Sequence, residues 1–282
     1  MMVALLYIAV VSFIGFHPNE LLWHTPPTNQ ILSLERFKVA DFEAASGMLH
    51  LGDRVLVSDQ KTHRLHLFNP KGELINEIGG LGLGPQSFSS PSDMASSNGL
   101  KIYVSDTGNE RVQILDRELN FLSQLNPNQA IDAIRSESVE LSQWQPDKLF
   151  ITPSGDCMVW DLAKQAMYRF NPNGAFLGKS QSPSFISELS WMGFDGSLVQ
   201  LYDASTKQMH TMSPNGLWMD SYAFDWNPFL ASGLNEVILT EQSSHEWSVL
   251  ETSHGPWVKS EAEDATLWVL FERALFRIPL QD

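Results

Sequence analysis

The sequence predicts an all-β protein made of repeated four-stranded units, a six-bladed β-propeller. The first supporting observation is composition. Of 282 residues, 43% are hydrophobic, 11% are aromatic and only 18% are charged, with 18 Gly and 15 Pro. This balance is typical of a folded chain with many turns and few long helices. The other two observations are a pair of short alternating strands that recurs along the chain and a repeated x-Pro-x-Gly turn.

The clearest unit lies between residues 79 and 116. A glycine-rich loop, GGLGLGPQSFSSPSDMA, leads to the strand KIYVSD, the turn TGNE and the strand RVQILD. Apolar and polar residues alternate in both strands, as expected when successive side chains point to opposite faces of a sheet. Such a unit cannot bury its faces alone, so one clear repeat predicts further copies around a closed ring.

This unit closely resembles the NHL repeat. The resemblance is strong over residues 51–125 and weak after about residue 180, and it implies a propeller of bacterial, exported type. Some NHL domains bind RNA through a basic face. The present chain has a net charge of −15 and a pI near 4.8, which argues against nucleic acid as a partner.

Weaker copies of the unit follow at a regular spacing. The acidic residues that end the second strand recur about every 40–50 residues, which is the period of a four-stranded blade. An insertion around Asn126–Gln145 accounts for the longest interval. The six predicted strand pairs are Arg54–Asp59 with Arg64–Asn69, Lys101–Asp106 with Arg111–Asp116, Cys157–Asp161 with Ala166–Asn171, Leu198–Asp203 with Gln208–Ser213, Glu236–Glu241 with Trp247–Glu251, and Thr266–Phe271 with Leu275–Pro279.

The last repeat lacks an outer strand, because only Gln281 and Asp282 follow Leu280. The alternating segment Ile31–Phe37 precedes the first repeat. We expect it to complete the last blade and so to close the ring, which leaves few free sheet edges. The predicted organisation is therefore a linker over residues 17–30 and a single propeller over residues 31–282.

The first sixteen residues carry no charge and are almost wholly apolar. This length suits a signal peptide or a short N-terminal anchor, although no Lys or Arg precedes the run. We expect an exported protein, periplasmic or associated with the cell envelope, with a cytoplasmic protein as the alternative. Membrane contact is expected only through this segment if it is not cleaved. The single cysteine, Cys157, excludes an intrachain disulfide, and we expect a small buried side chain there.

Searches for catalytic motifs give nothing. There is no Gly-x-Ser-x-Gly elbow and no His-Glu-x-x-His pair, and the glycine run at 79–84 lacks the spacing and the helix of a phosphate loop. Asp106 and its neighbours fit a structural turn repeated in each blade, with a metal or catalytic site as the alternative. The later tryptophans fit packing between blades, with a sugar- or peptide-binding platform as the alternative: Trp191, Trp218, Trp226, Trp247, Trp257 and Trp268.

Acidic or amide residues stand near the predicted start of several inner strands. We expect them to gather at one mouth of the central channel, where an acidic ring can bind Ca²⁺ or a cationic ligand. Solvated strand starts are the alternative interpretation. Apart from possible Ca²⁺, no cofactor is expected. The candidate ligand-binding residues are Asp41, Asp93, Asp147, Glu188 and Asn227.

The regular scaffold, the export-like N-terminus and the lack of a catalytic constellation favour a non-enzymatic binding propeller of the bacterial cell envelope. Propeller loops lie on two broad faces, which suits a protein partner or a ligand. The alternative is a metal-dependent lyase or lactonase-like enzyme with an axial metal in the central channel, because the resemblance extends to six-bladed enzymes of that kind.

Overall fold

The fold is an all-β β-propeller. The computed structural model describes residues 7–10, 37–126, 144–224, 237–240, 257–263 and 266–279. The chain divides into two compact units, residues 43–226 and residues 1–42 with 227–282. Within the described ranges, regular structure is β-strand apart from the 3₁₀ turn Thr107–Asn109 and the 3₁₀ residue Phe37. None of the described segments is a helix of the length and apolarity needed to cross a membrane.

The larger unit contains four antiparallel sheets, each with its four strands in chain order. Each sheet is one blade, and its first strand is the inner one. Blade 1 comprises Ala45–His50, Val55–Asp59, Arg64–Phe68 and Leu74–Gly79; blade 2 comprises Pro91–Ala95, Lys101–Asp106, Arg111–Asp116 and Phe121–Leu125; blade 3 comprises Pro146–Ile151, Cys157–Asp161, Ala166–Phe170 and Phe176–Gln181; blade 4 comprises Leu189–Phe194, Val199–Asp203, Gln208–Met212 and Trp218–Ala223.

The smaller unit contains blade 5, in which an N-terminal strand completes a sheet of C-terminal strands. Lys38–Asp41 pairs antiparallel with Ala274–Pro279, and the other two strands are Trp257–Glu263 and Thr266–Phe271. The segment Ile31–Phe37 was predicted as this strand, but residues 31–36 lie outside the described ranges, and the described strand is Lys38–Asp41. The alternation of apolar and polar residues predicts a strand, but it does not fix which residues pair with a neighbouring strand.

The described residues form five four-stranded sheets, so the prediction of six blades was wrong. Val237–Thr240, in the predicted fifth repeat, pairs with Tyr7–Val10 in a two-stranded sheet. The next described strand after that pair, Trp257–Glu263, is the inner strand of blade 5. The pattern of a strand does not say which sheet it joins. Residues 241–256 lie outside the described ranges.

Apolar side chains fill the spaces between neighbouring blades. The second strands are buried on both faces, and every residue of Val55–Asp59 and of Cys157–Asp161 is buried. This two-sided burial is what allows sheets to pack face to face around a channel. The large buried residues include Leu65, Phe88 and Ile102 between blades 1 and 2, Tyr103, Trp144 and Phe170 between blades 2 and 3, and Trp160, Met167 and Leu201 between blades 3 and 4.

The glycine-rich loop joins blade 1 to blade 2, and the buried Arg111 donates hydrogen bonds to its carbonyl groups. Phe88 at its end is fully buried. The Arg111 guanidinium donates to the buried Asp106 carboxylate at 2.8 Å. It also donates to the carbonyls of Leu83, Gly84 and Ser87 at 2.9, 2.9 and 3.0 Å. The loop is therefore a structural connection whose path Arg111 fixes.

An aspartate ends the second strand of blades 1 to 4 and has a structural role there. Asp59 accepts hydrogen bonds from the backbone N–H groups of Lys61 and Thr62 at 3.0 and 3.2 Å. Asp161 does the same for Ala163 and Lys164 at 3.0 and 3.1 Å. These carboxylates satisfy the turn that follows them. The structural interpretation of Asp106 therefore holds, with Arg111 as its partner.

Candidate functional site

A bulge near the start of the inner strand places two acidic residues of blades 2 and 3. Pairing in blade 2 starts with Pro91 and Asp106 and resumes at Met94. Pairing in blade 3 starts with Pro146 and Asp161 and resumes at Leu149. The residues in between are Ser92 and Asp93 in blade 2, and Asp147 and Lys148 in blade 3. Bulges redirect side chains at sheet edges and near binding sites.

Hydrogen bonds join the two bulges directly. The Asp93 carboxylate accepts the Leu149 N–H at 2.9 Å. The Ser92 hydroxyl donates to the Asp147 carbonyl at 2.8 Å. The Thr107 hydroxyl oxygen lies 2.6 Å from the Pro146 carbonyl oxygen. The structure thus brings Asp93 and Asp147 together and fixes the backbone that carries them.

Asp147 lies in an unfavourable electrostatic setting for a carboxylate. Burial raises its pKa above the ordinary value of 3.8, and the charge of Asp93 raises that pKa further. The Lys148 charge and a hydrogen bond with Ser92 act in the opposite direction. Asp147 is nevertheless partly exposed. Neither carboxylate is within ion-pair distance of a Lys, Arg or His in the described ranges. Among the described residues, the two carboxylates therefore have no ion-pair partner, and the charge nearest to Asp147 in the chain is that of Lys148.

The other predicted site residues are Asp41, Glu188 and Asn227. Asp41 was predicted on an inner strand, but it ends the outer strand of blade 5, where its exposed carboxylate binds Lys38 at 2.6 Å. The prediction failed because the inner strand of blade 1 begins at Ala45, after Asp41. Glu188 is exposed and precedes the inner strand of blade 4. Asn227 lies outside the described ranges.

A bound Ca²⁺ ion would need more oxygen atoms than this pair supplies. Calcium takes six to eight oxygen ligands in proteins. Across the part of the chain that the structure describes, no three His, Cys, Asp or Glu residues gather closely enough to hold a metal ion.

The buried cysteine does not contribute a nucleophile. Cys157 lies in the second strand of blade 3 and is 1% exposed, which confirms the prediction of a small buried side chain. Burial raises the pKa of its thiol far above the ordinary range. Because the thiolate is the reactive form, this side chain is chemically inert.

Two inner strands carry partly exposed apolar side chains, of which the sequence had singled out Trp191 alone. On the inner strands of blades 3 and 4, the side chains of Phe150, Trp191, Met192 and Phe194 are only partly buried. The Phe150 and Phe194 rings stack with centroids 6.2 Å apart. The inner strands of blades 1 and 2 instead bury their large apolar residues. An apolar residue in a strand resembles core in the sequence, so only the structure shows which of these are accessible.

The comparisons with known proteins agree with the fold. The family model of the NHL repeat matches residues 88–115, which span Phe88 to the third strand of blade 2. A catalytically inactive variant of virginiamycin B lyase from Staphylococcus aureus, solved with quinupristin, is similar with a TM-score of 0.54 and 10% identity, over 84% of this chain and 80% of that chain. The selenomethionine-substituted lyase from the same organism gives a TM-score of 0.52 and 12% identity, over 85% of each chain.

These comparisons address architecture. A search of curated proteins finds no match to the chain. At 10–12% identity the likeness to the lyase structures shows the fold and carries no activity with it. The NHL match in blade 2 and the β-propeller fold together support an NHL-type propeller.

Proposed function

We propose that this protein is a non-enzymatic binding propeller of the bacterial cell envelope, and that it holds a positively charged group of a protein partner or ligand at Asp93 and Asp147. The observation that supports this most directly is the carboxylate pair itself. Two acidic side chains stand on hydrogen-bonded inner strands, lack an ion-pair partner among the described residues, and include one carboxyl with a raised pKa. Perturbed ionisable groups tend to cluster at functional sites.

The energetics of the pair favour a cationic group. At about 4 Å and an effective dielectric constant near 20, one carboxylate attracts a unit positive charge by roughly 4 kcal/mol before desolvation costs. Lys148 offsets part of this attraction. The net charge of −15 adds a long-range field that steers cations towards the protein and weakens as salt is added.

We also propose that the N-terminal segments have two roles. Pairing of Lys38–Asp41 with Ala274–Pro279 supports closure of the propeller ring by an N-terminal strand. The uncharged apolar run at residues 1–16 supports export to the periplasm or the cell envelope. Mass spectrometry of the N-terminus of the native protein tests the export proposal, and a cytoplasmic protein that retains Met1 would contradict it.

Affinity capture from envelope extract tests the binding proposal. The bait is the whole protein, compared with Asp93→Asn/Asp147→Asn, which removes both charges and changes little volume. Glu118→Gln is the matched control, because Glu118 is an exposed acid in the turn between the third and fourth strands of blade 2. We expect the wild type and the control to retain a partner that the double variant loses.

Equal capture by all three baits would contradict the proposal. Elemental analysis of the purified protein and turnover of a screened small substrate form a second test. Stoichiometric metal together with turnover would support the alternative of a metal-dependent lyase or lactonase-like enzyme.

A further inference from the structure

We propose that Asn98 is a modification site, at which the folded protein exchanges a side-chain amide for a carboxylate by spontaneous deamidation. The sequence contains three Asn-Gly pairs, at residues 98–99, 173–174 and 215–216. Asparagine is a thermally labile residue, and a following glycine has no side chain to hinder the reaction. The three pairs differ in their hydrogen bonds, and this difference favours reaction at Asn98.

The reaction uses only the chain and water. The Gly99 nitrogen attacks the Asn98 side-chain carbon Cγ, and the bond from Cγ to the side-chain nitrogen breaks. Solvent carries the proton of the Gly99 N–H to the departing nitrogen, which leaves as ammonia, and a cyclic succinimide remains. Water then opens the ring to aspartate or isoaspartate, and nothing is oxidised or reduced. The glycine N–H must therefore be free to lose its proton, and the asparagine side chain must be able to reach the glycine nitrogen.

The first pair lies in the connection between the inner and second strands of blade 2. The Gly99 N–H donates to the Ser96 hydroxyl at 2.9 Å, and a hydroxyl group can rotate away while the backbone stays in place. The Asn98 side-chain oxygen accepts the Leu100 N–H at 3.0 Å. This contact folds the side chain over the peptide group that must react. Asn98 is exposed, so water reaches the site.

The second pair lies in the x-Pro-x-Gly turn of blade 3, which backbone hydrogen bonds close. The Gly174 N–H donates to the Asn171 carbonyl at 2.8 Å, and the Asn171 N–H donates to the Ala175 carbonyl at 2.9 Å. The Asn171 side chain also accepts the N–H groups of Asn173 and Ala175 at 3.0 and 2.9 Å. The Gly174 nitrogen can react only when this turn opens.

The third pair lies in the equivalent turn of blade 4 and is restrained in the same way. The Gly216 N–H donates to the Ser213 carbonyl at 2.9 Å, and the Ser213 N–H donates to the Leu217 carbonyl at 2.8 Å. Gly216 is buried. The Asn215 side-chain oxygen accepts a hydrogen bond from Arg169 of blade 3 at 3.4 Å, which directs it away from the glycine nitrogen.

The product changes the charge of an exposed connection and leaves the blade in place. The new carboxylate adds a negative charge to a chain whose net charge is already −15. The two strands that the connection joins pair as far as Ala95 and Tyr103, so their pairing does not depend on residue 98. We therefore expect the deamidated protein to keep the melting temperature of the unmodified protein.

Peptide mass spectrometry of the whole protein after incubation in mildly alkaline buffer measures deamidation at each pair. We expect Asn98 to react at least about tenfold faster than Asn173 and Asn215, because two backbone hydrogen bonds close each turn and each slows the reaction about two- to tenfold. The same protein unfolded in urea is the control, and there we expect the three rates to converge. Equal rates in the folded protein, faster reaction in either turn, or no reaction at Asn98 would overturn the proposal.

Two serine variants test the local geometry. Ser96→Ala removes the acceptor of the Gly99 N–H and is expected to speed deamidation of Asn98 about two- to tenfold. Ser97→Ala is the matched control, because Ser97 is an exposed serine of the same connection, and it is expected to react like the wild type. Asn173 and Asn215 serve as internal references, and thermal unfolding checks that both variants are folded. Equal rates at Asn98 in the two variants would overturn the role assigned to the Ser96 hydroxyl.

Discussion

The buried Arg111–Asp106 pair gives the sharpest stability prediction. Arg111→Met removes the hydrogen bonds from the guanidinium to Asp106 and to the carbonyls of Leu83, Gly84 and Ser87. Asp106 is 0% exposed, so its carboxylate stays buried without a cation. Removal of one partner of a buried ion pair costs about 3–5 kcal/mol. This is a large share of the roughly 5–15 kcal/mol that stabilises a typical domain.

Urea unfolding followed by tryptophan fluorescence measures this cost. The matched control is Arg117→Met, which removes an exposed ion pair with Asp53 at 2.7 Å and is expected to cost about 0–1 kcal/mol. The double variant Asp106→Asn/Arg111→Met is expected to cost less than the sum of its single changes, because the unpaired charge is gone. A cost below about 1 kcal/mol for Arg111→Met, similar to the control, would refute the structural role of this pair.

Three further predictions concern single positions. Asp147→Asn is expected to raise the melting temperature at pH 7, because the raised pKa of Asp147 in the folded state means that its ionisation destabilises the fold. Thermal melts from pH 7 downwards should show that this rise in melting temperature disappears below the ordinary pKa of 3.8, where the carboxyl is protonated in both states. A rise that does not change with pH would contradict the prediction. Phe88→Ala is expected to cost about 3–5 kcal/mol in urea unfolding, because Phe88 is 0% exposed, and a cost under about 1 kcal/mol would show that the loop does not anchor the core. Lys207 has a left-handed φ of 52°, so Lys207→Gly is expected to stabilise the folded protein by about 0.5–1 kcal/mol. The control Lys164→Gly lies in the equivalent turn of blade 3 but at a residue without a positive φ, and it is expected to destabilise the folded protein. Changes in stability of the same sign for both variants would contradict the argument.

Local turn chemistry explains the accurate part of the sequence prediction. Lys101–Asp106 and Arg111–Asp116 were predicted to the residue. Their boundaries depend on an aspartate, a glycine and an asparagine within one short turn. The closing strand and the blade count depend on pairing between distant segments, and alternation says nothing about that. The strand Lys38–Asp41 has a pattern that would suit many partners, so only the structure shows that it pairs with Ala274–Pro279.

The candidate site was predicted in part for a related reason. Asp93 and Asp147 follow Pro91 and Pro146, which mark the starts of the inner strands in blades 2 and 3. In blade 1 the inner strand starts at Ala45, four residues after Asp41. Asp41, which was predicted at the channel, therefore belongs to the outer strand of blade 5.

The central claim is that the carboxylates at the inner-strand bulges hold the partner at some cost to the stability of the fold. The most direct test is envelope capture by Asp147→Asn and wild type at equal folded concentration. We predict that the variant, although at least as stable at pH 7, retains far less partner than the wild type. Equal retention of the partner by the two proteins would contradict the account.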